Sequence, residues 1–145
     1  MTEVQTFVTF EAAHRLYDVD TYSEECRANL HGHSYGVSIH VGRYELNDAG
    51  MVIDFKLLKK VIKEVIEDPF DHSCILKHDD PIAKVIYDNC KKVHLVSENP
   101  TAEWMAYKFF NDLDIALKAL DPKLHVEQVS VRETEHNIAT YRRTR

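Results

Sequence analysis

Apolar positions alternate with a period of two near both ends of the chain and recur at helical spacing between them. Val4, Thr6, Val8 and Phe10 alternate with Gln5, Phe7, Thr9 and Glu11, which predicts a strand with both faces at least partly covered. From Tyr35 to Tyr44 the alternation is cleaner. Tyr35, Val37, Ile39 and Val41 share one face, Ser34, Gly36, Ser38 and His40 the other, and Asn47-Asp48-Ala49-Gly50 supplies a turn. Beyond Asp54, a candidate N-cap, Phe55, Leu58, Val61, Ile62 and Val65 follow helical spacing until Pro69. Asp80-Pro81 opens a short helical stretch expected to turn Ile82, Val85 and Ile86 inward. Thr101 caps a longer helix expected to bury Trp104, Tyr107 or Lys108, Phe109, Leu113, Ala116, Leu117 and Leu120 before Asp121-Pro122 ends it. Val129 and Val131 alternate with Ser130 and Arg132 in a third long strand, and Ile138 to Arg143 return antiparallel as a fourth.

The order ββααββ segregates strands from helices, so the expected class is α+β: an antiparallel sheet with its two main helices on one face. With 145 residues and no repeat or linker, the chain reads as one domain over 1–145. Val4, Phe7 and Tyr44 leave apolar groups on more than one side, and a homo-oligomer is one way to cover the second face and the sheet edges.

Charge narrows the range of functions. A formal net charge of -6 leaves no electrostatic footprint for nucleic acid or anionic lipid, and the cluster Arg142, Arg143, Arg145 is too short to alter that. No run approaches the ~18 apolar residues of a membrane span, and the first residues lack a charged leader followed by an apolar stretch. A soluble, cytoplasmic protein is expected. Three cysteines at unrelated spacings make no disulfide framework and leave Cys26 available for chemistry.

The most chemical feature is His31-Gly32-His33. Histidines one residue apart project to the same side of a strand, where their imidazoles can share a metal. With His14 at the end of the first strand as third ligand, a tetrahedral zinc would keep one position open for water or substrate. Separate surface or core histidines that share no metal, and a closed structural site with Cys26 as fourth ligand, are the alternatives.

Phe10-Glu11-Ala12-Ala13-His14-Arg15-Leu16, Cys26 before Leu30-His31-Gly32-His33-Ser34-Tyr35, Val52-Ile53-Asp54-Phe55, Phe70-Asp71-His72, Asn99-Pro100-Thr101-Ala102-Glu103 and Val131-Arg132-Glu133-Thr134 occur in this order. Together they resemble the 6-pyruvoyltetrahydropterin synthase and 6-carboxytetrahydropterin synthase family over nearly the whole chain. The resemblance implies the tunnelling fold (T-fold), in which two pairs of antiparallel strands flank two main helices, trimers close a barrel and two trimers stack as a hexamer. Active sites then lie between subunits.

The same resemblance implies roles for individual residues. His14, His31 and His33 would hold Zn2+, which takes the side-chain hydroxyls of the substrate and lowers the cost of a developing alkoxide or enolate. Cys26 would be the general base, which a thiol can be when nearby positive charge depresses its pKa. Four residues separate Cys26 from His31, one more than in typical bacterial carboxy-forming members and one fewer than in animal pyruvoyl-forming ones. A minority branch uses glutamate in this loop, so Glu24 and Glu25 stay open as alternatives. Asp71 would orient His72, which exchanges protons across the site. Glu133 would accept paired hydrogen bonds from the pterin ring, while Thr101 and Thr134 add hydroxyl contacts. No Gly-rich phosphate loop is visible, leaving a triphosphate to scattered Lys and Arg.

The implied activity is a zinc-dependent lyase acting on 7,8-dihydroneopterin triphosphate. Leu30-His31-Gly32-His33 and the compact chain resemble the bacterial 6-carboxytetrahydropterin synthases, which release acetaldehyde and triphosphate on the route to queuosine-type deazapurines. Elimination to the 6-pyruvoyl product, a non-catalytic zinc or pterin-binding module and a three-histidine hydrolase remain as alternatives.

Overall fold

The structure, a computed structural model, describes residues 1–20 and 23–144, and every side chain among them except that of Cys26. Alternation near the termini becomes four long or paired strands: β1 (Thr2–His14), β2 (His31–Arg43), β5 (His125–Arg132) and β6 (Ile138–Arg142). They pair antiparallel as β1-β2-β5-β6. Two short strands, β3 (Ser73–Lys77) and β4 (Val93–Val96), extend the sheet beyond β1, and both of their pairings are parallel. The full order is β4-β3-β1-β2-β5-β6. Neither short strand announces itself in the sequence, because the apolar run Cys74-Ile75-Leu76 is too brief for periodicity to separate strand from helix.

Phe10, Ala12, Tyr35, Val37, Ile39, Val41, Val126, Val129 and Val131 are buried on one face of the sheet. Val126 and Val129 have opposite parity, yet both reach the core. The β2–β5 register slips between His40 and Val41, whose partners are Gln128 and Val126, so Glu127 is the extra residue of a bulge. On the opposite face Gly36 is closely approached: a Cβ there would lie 2.7 Å from Phe7 Cζ.

The main helices supply the second layer. Asp54 caps α2 (Phe55–Ile62) by accepting from the amides of Lys56 and Leu57. Pro69 does not stop this helix. It continues through a π-helical turn (Lys63–Glu67) into α3 (Asp68–Phe70), and the wider turn absorbs the hydrogen bond that Pro69 cannot make. It also keeps residues four apart on one face, so Ile62, Ile66 and Phe70 are buried; Phe55, at the first position of the helix, is exposed.

Thr101 accepts from Trp104 N and caps α5 (Ala102–Leu120). This helix buries a wider stripe than expected, adding Met105, Ala106 and Phe110 to Phe109, Leu113 and Leu117, while Tyr107 and Leu120 are exposed. The extra breadth comes from β6, whose Tyr141 ring meets both Tyr107 and Phe110 edge-on. α1 (Glu24–Ala28) and α4 (Ala83–Asn89) are short. In α4 it is Ala83 that is buried, and Val85 faces outward, contrary to the sequence expectation. The helix starts later than Pro81 because the buried Asp80 turns the chain, its carboxylate accepting from Ile82 N.

Candidate active site

The register of β1 on β2 assembles the histidines. His14 lies directly opposite His31, and Ala12 opposite His33, so the three imidazoles share the core-facing side at one end of the strand pair. His14 Nδ1 donates to Pro100 O at 2.7 Å, and His31 Nδ1 donates to Asn29 O at 2.9 Å. A carbonyl can only accept, so each of these rings carries its proton on Nδ1 and presents a bare Nε2. Those Nε2 atoms lie 3.1 Å apart, two lone pairs facing one another. The Nε2 of His33 is buried without a hydrogen bond of acceptable angle, although Glu133 Oε1 is 3.1 Å away. The same carboxylate oxygen is 3.3 Å from His14 Nε2.

Ligand atoms of His14, His31, His33 and Glu133 thus converge within 4.8 Å of one another. Facing lone pairs and an orphaned ring nitrogen are the arrangement that a cation resolves, with backbone carbonyls fixing the ring orientations from behind. Three imidazoles with a carboxylate suit zinc. Burial holds His33 below the usual imidazole range against the pull of Glu133, and the neighbouring His14 and His31 add to the depression. The neighbouring imidazoles, His14 foremost, keep Glu133 below the ordinary carboxylate range despite burial. Neutral imidazole and ionised carboxylate are the forms that bind metal.

Glu133 therefore lies among the three imidazoles. It arrives there because the β5–β6 hairpin, closed by Glu133 N donating to Asn137 O, begins where β5 leaves β2. Pro100 O, Asn29 O and the Tyr35 hydroxyl, 3.2 Å from His14 Nδ1, also belong to the site. Backbone carbonyls carry no side-chain signal, and Tyr35 reads in the sequence as a core aromatic.

Asp71 and His72 sit where α3 runs into β3. Asp71 Oδ1 accepts from Glu11 N at 2.8 Å, His72 N donates to Glu11 O at 2.6 Å, and His72 Nδ1 lies 2.9 Å from Asp71 Oδ2. The Glu11 amide, then His72, hold the Asp71 carboxyl below its usual range. His72 has φ 60°, a left-handed conformation uncommon for a residue with a side chain. His33 and His72 line one groove of about 390 Å³, together with Glu11, Gly32, Ser34 and Ser73.

Cys26 falls within α1, and its side chain lies outside what the structure describes. The helix is nevertheless tied to the histidines, because Asn29, its C-cap, provides the carbonyl that orients His31. Glu24 and Glu25 are exposed on the same helix, and Glu25 accepts from Ser23 Oγ. Thr101 Oγ1 is engaged as the cap of α5, while Thr134 is exposed in the β5–β6 turn.

The model of the 6-pyruvoyl tetrahydropterin synthase family matches residues 3–144. The chain belongs to that family. A family relative from Rickettsia conorii, named a 6-carboxy-5,6,7,8-tetrahydropterin synthase, is 36% identical over 123 residues, covering 83% of this chain and 81% of the relative. Among solved structures, an uncharacterised protein from Wolinella succinogenes superposes with a TM-score of 0.83 at 22% identity, covering 99% and 98% of the two chains. The 6-pyruvoyl tetrahydropterin synthase of Caenorhabditis elegans gives a TM-score of 0.70 at 26% identity, covering 99% and 96%. Fold and family agree with the tunnelling-fold expectation, and the protein is accordingly an enzyme of a pterin synthase lyase family.

Proposed function

We propose that this protein is a zinc-dependent lyase that converts 7,8-dihydroneopterin triphosphate to 6-carboxy-5,6,7,8-tetrahydropterin, releasing acetaldehyde and triphosphate, in 7-deazapurine (queuosine) biosynthesis. The observation that carries this reading is the convergence of three imidazole Nε2 atoms beside a groove that His72 also lines, in a chain of this family. The name of the Rickettsia relative supports the carboxy product. Zinc held by His14, His31 and His33 would supply Lewis-acid stabilisation of a developing alkoxide or enolate.

The remaining steps belong to the chain itself. Cys26 takes the proton from the substrate side chain. His72, kept in one orientation by Asp71, carries a proton at Nε2, which faces away from the Nδ1 contact with that carboxylate. Glu133 accepts from the ring N–H and exocyclic amine of the pterin, and Thr101 and Thr134 contribute hydroxyl contacts. The unpaired edges of β4 and β6 and the exposed Phe7 support a homo-oligomer, which we take to be the hexamer of two trimers. We take its location to be cytoplasmic; among the described residues no helix is long and apolar enough to cross a membrane.

The test is to incubate purified, zinc-loaded protein with 7,8-dihydroneopterin triphosphate and measure acetaldehyde together with the mass of the pterin. Acetaldehyde in proportion to a 6-carboxy pterin is expected. A 6-pyruvoyl product without acetaldehyde rejects the assignment in favour of triphosphate elimination.

A further inference from the structure

The carbonyls at the end of the helix that carries Asp71 have no partners within the helix. They are met instead by two side chains from β4 and the turn before it. Lys92 Nζ donates to Asp68 O and to Asp71 O, both at 2.8 Å. His94 Nε2 donates to Pro69 O at 2.6 Å while its ring stacks on Phe70, centroids 4.3 Å apart and planes 22° from parallel. Lys92 is itself anchored, its carbonyl accepting from Cys74 N at 3.0 Å, immediately beyond the couple on β3.

Between these anchors lies His72 with its left-handed backbone, φ 60°. A non-glycine residue is uncommon in that conformation, and the surrounding contacts offset its cost. From the β1 side Glu11 supplies both backbone groups, and from the β4 side Lys92 takes the carbonyl of the preceding residue. Relaxation of His72 toward extended backbone would swing its ring away from Asp71 Oδ2 and out of the groove shared with His33.

We infer that Lys92 and His94 are positioning residues for the Asp71–His72 couple, clamping the end of its helix so that His72, which lines the groove, keeps its left-handed backbone and its contact with Asp71. This rests on the reading of Asp71 and His72 as acid-base residues given above. Neither side chain touches substrate in this role. The clamp makes the parallel strand β4, which adds nothing to the histidine cluster, part of the catalytic apparatus.

The experiment uses the full chain loaded with zinc and 7,8-dihydroneopterin triphosphate as substrate. Lys92→Met and Lys92→Arg are made in the parent protein and in Asp71→Asn, and exchange of the His72 amide is followed in each. Lys92→Met should lower kcat about tenfold, leave KM within about twofold and speed exchange of the His72 amide, since a displacement of an ångström is enough for such a loss. Lys92→Arg should recover most of kcat, because a guanidinium reaches two carbonyls. In Asp71→Asn, where the couple is already broken, Lys92→Met should cost less than about twofold more.

His94→Phe keeps the stack on Phe70, removes the donor to Pro69 O and should give the same pattern at smaller amplitude. An unchanged kcat in Lys92→Met, or an equal loss in both backgrounds, overturns the positioning role alone. If Asp71→Asn by itself retains the parent kcat, the acid-base reading fails and the clamp falls with it.

Discussion

At the scale of single residues, Glu133 is the side chain whose position says most about the site. Its carboxylate contacts His14 and His33, a place from which it can serve either a metal or a ring edge, and one variant separates these roles. As the ring anchor, Glu133→Gln should leave bound zinc at the parent stoichiometry and lower kcat/KM roughly 10- to 100-fold, the loss of charged paired hydrogen bonds. A fall in zinc content by metal analysis would instead make Glu133 a ligand. His33→Ala should remove most of the zinc while the far-UV circular dichroism is retained, because the ring lies at a strand end beside the core rather than inside it. The histidines were legible in the sequence since period-two alternation places His31 and His33 together without reference to the rest of the chain. The carbonyls of Pro100 and Asn29 were not, because a backbone acceptor has no residue signature and reaches its donor only after distant segments dock.

At the scale of elements, α5 holds the sheet and hairpin together. Leu113 is fully buried against the core, whereas Leu120 at the end of the helix is half exposed. Leu113→Ala should cost about 2–5 kcal/mol in urea unfolding, and Leu120→Ala less than about 0.5 kcal/mol, although helical periodicity placed both on the inner face. Thr101→Ala should cost about 1 kcal/mol through loss of the cap to Trp104 N, and a kcat effect exceeding that loss would support its proposed second role at the substrate. The helix from Phe55 shows the limit of spacing rules. A π turn resets the phase, brings Ile66 and Phe70 inward and carries the chain through Pro69, which no fixed period of 3.6 anticipates.

At the scale of the molecule, Asp114 links the helix layer to the sheet. It pairs with Lys118 and with Arg143 beyond β6, and accepts from Val126 N on β5. Burial pushes its carboxyl up, but Lys118, the Val126 amide and Arg143 together hold it below the usual range. With the folded pKa below the unfolded value of about 3.9, this stabilisation is complete above the unfolded pKa and is lost as pH falls through the folded one. Thermal unfolding between about pH 5 and pH 2 should therefore show a steeper acid loss in the parent protein than in Asp114→Asn. The strands β1, β2, β5 and β6, the caps at Asp54 and Thr101 and the clustering of His31 with His33 were determined by the sequence alone, since each depends on neighbours within a few residues. Tertiary structure decided the parallel strands β3 and β4, the arrival of Glu133 among the imidazoles and the left-handed backbone at His72. Those features come from contacts between segments far apart in the chain, such as Glu11 with Asp71 and His14 with Glu133, and their energies exist only once the sheet has closed around them.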